Sequence, residues 1–469
     1  MDNGETISKT KTELRREKIL NGNLWKVIFS LTLPLFIFAI FNYVGDLFEM
    51  IIANQIGTSE FASVVVIDQI RQAIAAFGTG IAAAGIVVVG KHYGAGQDEK
   101  ARQSAANAII LAFVVSLVTL GIMLLSGRHL MALLKTPQEM IDLSIGYFYV
   151  QMISTALIAI NTVFLGLEKS KGNTVFILVV NLIAMIIRVG LSAIFVLVLQ
   201  RGMVFMAIST LIAQGFILIV GIFVMLNKKN PFQLTLRQFK FSKEFIIPIL
   251  AVGLPIFGGR FLFNIGKVIV NSLAMSYGAE AVGALGIALK VIGGAALIAS
   301  MLEETETAVV AQNLGNKNLN RAYKSLGVTL VYSAITATIT ISIVVLLRGQ
   351  IIMLLEGKAS KEYLDMIKFY MFTEVFSAFF AEIGTVFSGF YNGFSKSKLT
   401  FLLNIFRLYV FRIPFILILK AIGVDFKTLG YAMAFSNFGT MVVAIIIFIF
   451  FHNSVKKYGY GEMTLAIKK

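Results

Sequence analysis

Long apolar runs, separated by short polar and basic segments, dominate this chain. Stretches near 25–53, 62–90, 104–126, 138–166, 174–199, 203–226, 244–276, 281–311, 326–347, 363–392, 399–420 and 428–453 are mostly apolar. Each reaches the roughly 20 residues that a hydrocarbon core demands of a helix. The pattern predicts an all-α polytopic membrane protein with twelve transmembrane helices, six on either side of a basic linker. The expected organisation is an N-terminal arm at 1–24, an N-lobe at 25–226, a linker at 227–243, a C-lobe at 244–453 and a tail at 454–469.

Six crossings return a chain to its starting side, so two six-helix halves share one orientation. The sequence repeats accordingly. At an offset of 221 residues, Pro34 returns as Pro255, Gly57 as Gly278, Gly94 as Gly315, Ala101 as Ala322 and Ser104 as Ser325. At 223, Val163, Phe164 and Gly166 return as Val386, Phe387 and Gly389, and Asn181 as Asn404. Such self-similarity in an apolar chain is the mark of a transporter built from two parallel-repeat bundles around a central cavity. Pro34 and Pro255 read as architectural.

Composition narrows the class. With 57% hydrophobic and 14% charged residues in 469, the chain is too apolar for a soluble globular protein. The net charge of +16 is unevenly placed. Arg15, Arg16, Lys91, Lys228, Arg237, Lys240, Arg321, Lys396 and Lys457 fall in the arm, the even-to-odd loops, the linker and the tail, and the opposite loops hold fewer basic residues. Both termini are therefore expected in the cytoplasm, beside anionic lipid headgroups, with no nucleic-acid partner. The first span is too long for a cleaved signal-peptide core. Cysteine is absent, which excludes disulfides and thiolate chemistry. Gly85 to Lys91 has the G-x-x-x-x-G-K spacing, but His92 replaces the required Ser or Thr and no strand precedes it. The three histidines have no metal-ligand spacing, and no nucleophile and base pair argues for an enzyme.

Charges inside the spans are the candidate chemistry. Acidic residues occur at Asp46, Glu49, Asp68, Glu303, Glu304, Glu306, Glu374 and Glu382, and basic ones at Arg71, Arg188, Arg260, Lys267, Lys290, Lys368, Arg407 and Arg412. A charge at the bilayer centre costs several kcal/mol, so these residues must face the interior, pair, or lie near an end. Asp46 and Glu49 share a helix face and are expected to couple transport to a proton or cation; alternatively Asp46 pairs with a neighbouring base. Glu303 and Glu306 share a face and either attract a cationic substrate or pair with Arg260 and Lys267. Asp68 and Arg71 are spaced for an intrahelical ion pair. Arg407 and Arg412, five apart, should point to different faces of an α-helix, need different partners, and read as architectural. Glu382 lies deeper than Glu374 and is the better coupling candidate of the two. Asn42, Asp68, Arg188, Arg260, Asn264, Lys267, Glu303 and Glu306 are the expected polar lining of the substrate cavity.

Several segments carry a family resemblance: GIVVVGKHYGAGQDEKARQS with its partner TAVVAQNLGNKNLNRAYKS, the paired starts LTLPLF and VGLPIF, and the run VFSGFYNGFSKSKLTFLLNIFRLYVFRIP. Over nearly its whole length the chain resembles the multidrug and toxic compound extrusion family, within the multidrug, oligosaccharidyl-lipid and polysaccharide flippase superfamily. The resemblance implies two six-helix lobes forming a V and export of organic cations in exchange for protons or sodium ions. It places a first-helix aspartate at Phe48, between Asp46 and Glu49; a seventh-helix glutamate at Phe263 or Asn264; and a tenth-helix acid within one position of Glu382. The family's frequent fifth-helix aspartate, seven residues after Asn181, is Arg188 here. The expected activity is efflux of amphiphilic cations by alternating access, by a single chain with no cofactor beyond the coupling ion. The rival is a flippase for a lipid-linked saccharide or other anionic amphiphile, with Arg188, Arg260 and Lys267 holding phosphate.

Overall fold

In the computed structural model, residues 10–466 are described apart from 57, 134–137, 236–240 and 357–359. Gly57, Arg237, Lys240 and the outermost parts of the arm and tail lie outside the described residues. No strand occurs among those described. In hydrocarbon a chain must satisfy its backbone polar groups internally, and these apolar runs do so as helices.

A short α1 (Lys11–Asn21) opens with a capping box between Thr10 and Glu13. There follow α2 (Leu24–Asn54), α3 (Thr58–Gly94), α4 (Asp98–Leu133), α5 (Gln138–Ser170), α6 (Thr174–Ala193) and α7 (Met203–Leu226). The second half contains α8 (Lys243–Ala274), α9 (Ala279–Gly315), α10 (Leu319–Glu356) and α11 (Lys361–Gly393). It ends with α12 (Ser397–Ile405), joined through a π-helical segment (Phe406–Arg412) to α13 (Ile413–Ala421), and then α14 (Lys427–Ala466). Among the described residues eleven helices are long and apolar enough to cross a membrane, and α9, bent by 43° between Gly294 and Ala296, makes a twelfth. The protein is thus an all-α polytopic membrane protein. Pro34 and Pro255 lie inside α2 and α8 at equivalent points of the repeat.

The chain divides into two compact units that run across the repeat boundary. The first comprises Met1–Phe257, Thr307–Ser325 and Gly393–Ser395; the second, Gly258–Glu306, Leu326–Asn392 and Lys396–Lys469. The first unit therefore holds α1 to α7, the start of α8, the end of α9 and the start of α10. Glycine makes these additions possible. A Cβ on Gly80 would lie 2.8 Å from the Gly253 carbonyl oxygen, and one on Gly253 3.1 Å from that of Gly80. Beside them Phe77 and Phe257 stack with ring centroids 3.7 Å apart.

The repeat is visible in the same unit as a reciprocal contact. Gly94 presses on the backbone of Gln312, and Gly315 presses on the backbone of Lys91. Lys91 and Gln312 are themselves equivalents at the 221-residue offset, and so are Gly90 and Ala311, which face each other between them. Residue i meeting j′ while j meets i′ defines a local twofold relation. Each glycine would place a Cβ inside the opposing backbone.

The same unit buries an ion pair between Glu168 and Lys171, with side chains 0% and 5% exposed. Lys171 also donates to Asn230 Oδ1 (3.0 Å), and its ammonium lies over the ring of Phe232. Asn173 donates to the other oxygen of Glu168. Burial holds the Lys171 ammonium below the usual lysine range against the opposing pull of Glu168. The network fastens residues 230–232, after α7, onto the turn between α5 and α6.

The second unit packs α8, α9, α11, α13 and α14 around Val270, Leu285, Ile292, Tyr370, Leu408 and Leu429. A Cβ on Gly389 of α11 would lie 2.5 Å from the Glu303 carbonyl oxygen of α9, as one on Gly166 would lie 3.1 Å from that of Ala82 in the first unit. The repeat has kept the crossing while exchanging Ala82 for Glu303.

Candidate functional site

Among the described residues of the membrane-spanning helices, each unit holds a cluster of charged side chains. In the first, Arg188 of α6 reaches across to α2. Its Nη2 donates to Asp46 Oδ1 at 2.7 Å, and its Nε lies 3.4 Å from Glu49 Oε1. Ser192, one turn along α6, donates to the same Glu49 oxygen at 3.2 Å. Gly45 permits the approach, since a Cβ there would lie 2.9 Å from Met185 and 3.2 Å from the guanidinium. The two carboxylates therefore do not face each other alone; one arginine serves both. Asn42 is half-buried on the same stripe of α2, one turn before Asp46. Asp68 is bound within α3 by Arg71 (2.5 Å) and Gln72 (2.7 Å).

The second unit contains a partly open cavity of about 560 Å³, within the roughly 300–1,000 Å³ of small-molecule sites. Small residues of α9 near its bend, Gly293, Ala296, Ala299 and Ser300, leave the space open along one wall. Glu374 and Glu382 project from α11, Lys267 from α8, and Arg407 and Arg412 from the π-helical segment. Both glutamates are buried, and the Oε1 atom of each lacks a hydrogen-bond partner. Glu382 accepts at its other oxygen from Thr336 (3.3 Å).

The arginines depart from the sequence expectation. Arg407 Nε and Arg412 Nη2 both donate to Asn437 Oδ1 of α14, at 2.6 and 3.2 Å, and Arg412 Nε donates to Ser436. They share a partner because the segment that carries them is π-helical. Hydrogen bonds that skip five residues widen the turn, so positions five apart return to nearly one face. Ser377 fixes Asn437 in turn by accepting from its amide nitrogen at 2.5 Å. The Lys267 ammonium and the Arg407 guanidinium both lie over Phe263, at 5.2 and 5.4 Å from the ring centroid.

The remaining candidates separate. Glu306 is buried and accepts from Thr329 of α10 at 2.6 Å. Glu303 accepts from Asn392 of α11 at 3.3 Å and feels the charge of Arg260. Lys267 lines the cavity, and among the described residues it forms no ion pair with either glutamate within 4 Å. Asn264 is half-buried on α8. Sequence reasoning missed Asn437, Ser436 and Ser377; the one trace was a polar Ser-Asn pair inside the apolar run of α14.

Helices of membrane-spanning length, repeated in parallel and carrying charged groups in the interior, are those of a polytopic transporter. The family described as MatE matches residues 34–194 and 255–418, and the chain belongs to it. Among curated relatives it is 22% identical to the probable multidrug resistance protein YoeA of Bacillus subtilis, over 74% of this chain and 77% of that protein. It is 20% identical to the multidrug export protein MepA of Staphylococcus haemolyticus, over 71% and 74%. A solved multidrug resistance MATE family transporter of the MOP superfamily, in an outward-facing conformation, superposes with a TM-score of 0.89 at 20% identity, covering 96% of this chain and all of that one.

Proposed function

We propose that this protein is a secondary active exporter of amphiphilic organic cations and drugs, exchanging them for protons or sodium ions by alternating access. The observation that carries the reading is the pair of buried carboxylates on α11, each with one oxygen that lacks a hydrogen-bond partner, in the wall of a cavity of drug-sized volume. Carboxylates kept inside a membrane with unbonded oxygens are suited to take up and release a small cation. Relatives named for multidrug resistance or export supply the direction of transport. Asp46, Glu49 and Glu382 are the coupling residues in this reading. A cation bound there favours one facing state and solute binding the other, which is all that exchange requires. The protein acts as a single chain in the cell membrane with both termini in the cytoplasm.

The test is uptake of a fluorescent organic cation by inverted vesicles, driven in turn by a proton and a sodium gradient. Uptake should follow one gradient and collapse on its dissipation. Glu382→Gln should lower the initial rate by about tenfold or more, the loss expected when a buried charge that only one state satisfies is removed. Uptake indifferent to both gradients would sink the proposal.

A further inference from the structure

Three basic side chains meet two carboxylates in the cavity of the second unit, and among the described residues none of these five forms an ion pair within 4 Å. Arg407 and Arg412 are held by the neutral Asn437 and Ser436. Lys267 and Arg407 rest on the face of Phe263. A ring face compensates a cation only in part, and an amide oxygen carries no charge. Guanidinium groups stay protonated. Three basic groups against two acidic ones leave a formal charge of +1 with both glutamates ionised, and a larger one when either binds a proton or a metal cation. With the Lys267 ammonium protonated, the cavity is therefore positive in every loading state of its carboxylates. The glutamate oxygens and the Lys267 ammonium stand ready for charges of opposite sign, and the volume admits a molecule that carries both.

We infer that Lys267 and Arg407 form an anion subsite, which receives a carboxylate, sulfonate or phosphate group of the transported amphiphile while its cationic centre lies toward Glu382. The inference rests on the exporter reading and narrows its substrates to amphiphiles bearing an anionic group. The two ends have separate duties. The cationic centre competes with the coupling ion at the glutamates, as exchange requires, and the anionic end supplies binding energy that the coupling ion leaves untouched. Arg407 is pinned by Asn437 and so fixes the place of the subsite, whereas Lys267, exposed to the cavity on a flexible stem, adjusts to the ligand.

The experiment compares rhodamine 110, which has a free carboxylate, with rhodamine 123, its methyl ester. Each is titrated by fluorescence polarisation against the purified full-length protein in lipid nanodiscs, with no gradient imposed. Rhodamine 110 should bind tighter by at least about tenfold, the scale of one charge-assisted hydrogen bond. Lys267→Gln should erase that preference, and Lys267→Arg should keep it. Equal affinity of the two probes for the wild-type protein, or a preference that survives in Lys267→Gln, overturns the subsite. Gradient-driven uptake of both probes is measured in parallel: uptake of either with no carboxylate preference in binding removes the subsite and spares the exporter reading, and absence of uptake of rhodamine 110 with the preference intact does the reverse.

Discussion

Gly94→Ala and Gly315→Ala should each lower the thermal midpoint of the protein and remove most of its transport, and the two losses should be of similar size. The glycines occupy equivalent places in the repeat, and each lies against the backbone of the helix that carries the other. A methyl group at either would overlap main-chain atoms, which cannot rotate aside as a flexible side chain can. Forcing extra volume into a packed contact costs about 1–3 kcal/mol and sometimes more; backbone on backbone belongs at the upper end. Because both substitutions part the same two helix ends, the double variant should cost less than the sum of the singles. Thermal unfolding in nanodiscs, with vesicle uptake on the same preparations, checks this. A Gly94→Ala protein as stable and active as the wild type would mean that α3 and α9 separate here without penalty.

The equivalence of Gly94 and Gly315 was legible in the repeat, but not that each packs against the helix that carries the other. The helices were legible because lipid accepts so few backbone arrangements that an apolar run of sufficient length is nearly a structure already. What escaped was whatever depends on hydrogen-bond register or distant folding back. Nothing in Phe406–Arg412 announces a π-helical turn, since the five-residue skip is selected by the packing of α12 and α13 against α14, and so the joint grip of Arg407 and Arg412 on Asn437 could not be foreseen. Glu168 and Lys171 stand at the end of an apolar run, where nothing in the sequence announces that they are buried. Their burial comes from Asn230 and Phe232, some sixty residues later.

The candidate site was legible residue by residue and less so in its pairings. Acidic and basic positions inside spans are conspicuous because each is costly there. Which base serves which acid is set by helix neighbours that composition does not specify. The equal counts, eight acidic and eight basic residues in the predicted spans, suggest an internally compensated cavity. The structure instead divides them, with acids dominant around Arg188 in the first unit and bases dominant around Glu374 and Glu382 in the second.

Arg188→Met should destabilise the protein by about 3 kcal/mol, the lower end of the range for breaking a buried charge pair. The low end applies because the Asp46 side chain is 54% exposed, so its share of the pairing is screened, while those of Arg188 and Glu49 are 17% and 19% exposed. The loss comes chiefly from Glu49, left without its cation. Neutralising all three, with Asp46→Asn and Glu49→Gln added, removes the stranded charges and should restore most of the thermal midpoint, because a buried ionic group can often be exchanged for neutral ones at little net cost. Transport separates the two roles this cluster could have. If Arg188 only holds α2 against α6, the neutral triple variant transports as well as it folds. If Asp46 and Glu49 take the coupling ion, as proposed, the triple variant folds but its uptake no longer follows an imposed gradient. Recovery of stability together with gradient-driven uptake would assign the cluster to architecture and leave coupling to Glu382 alone.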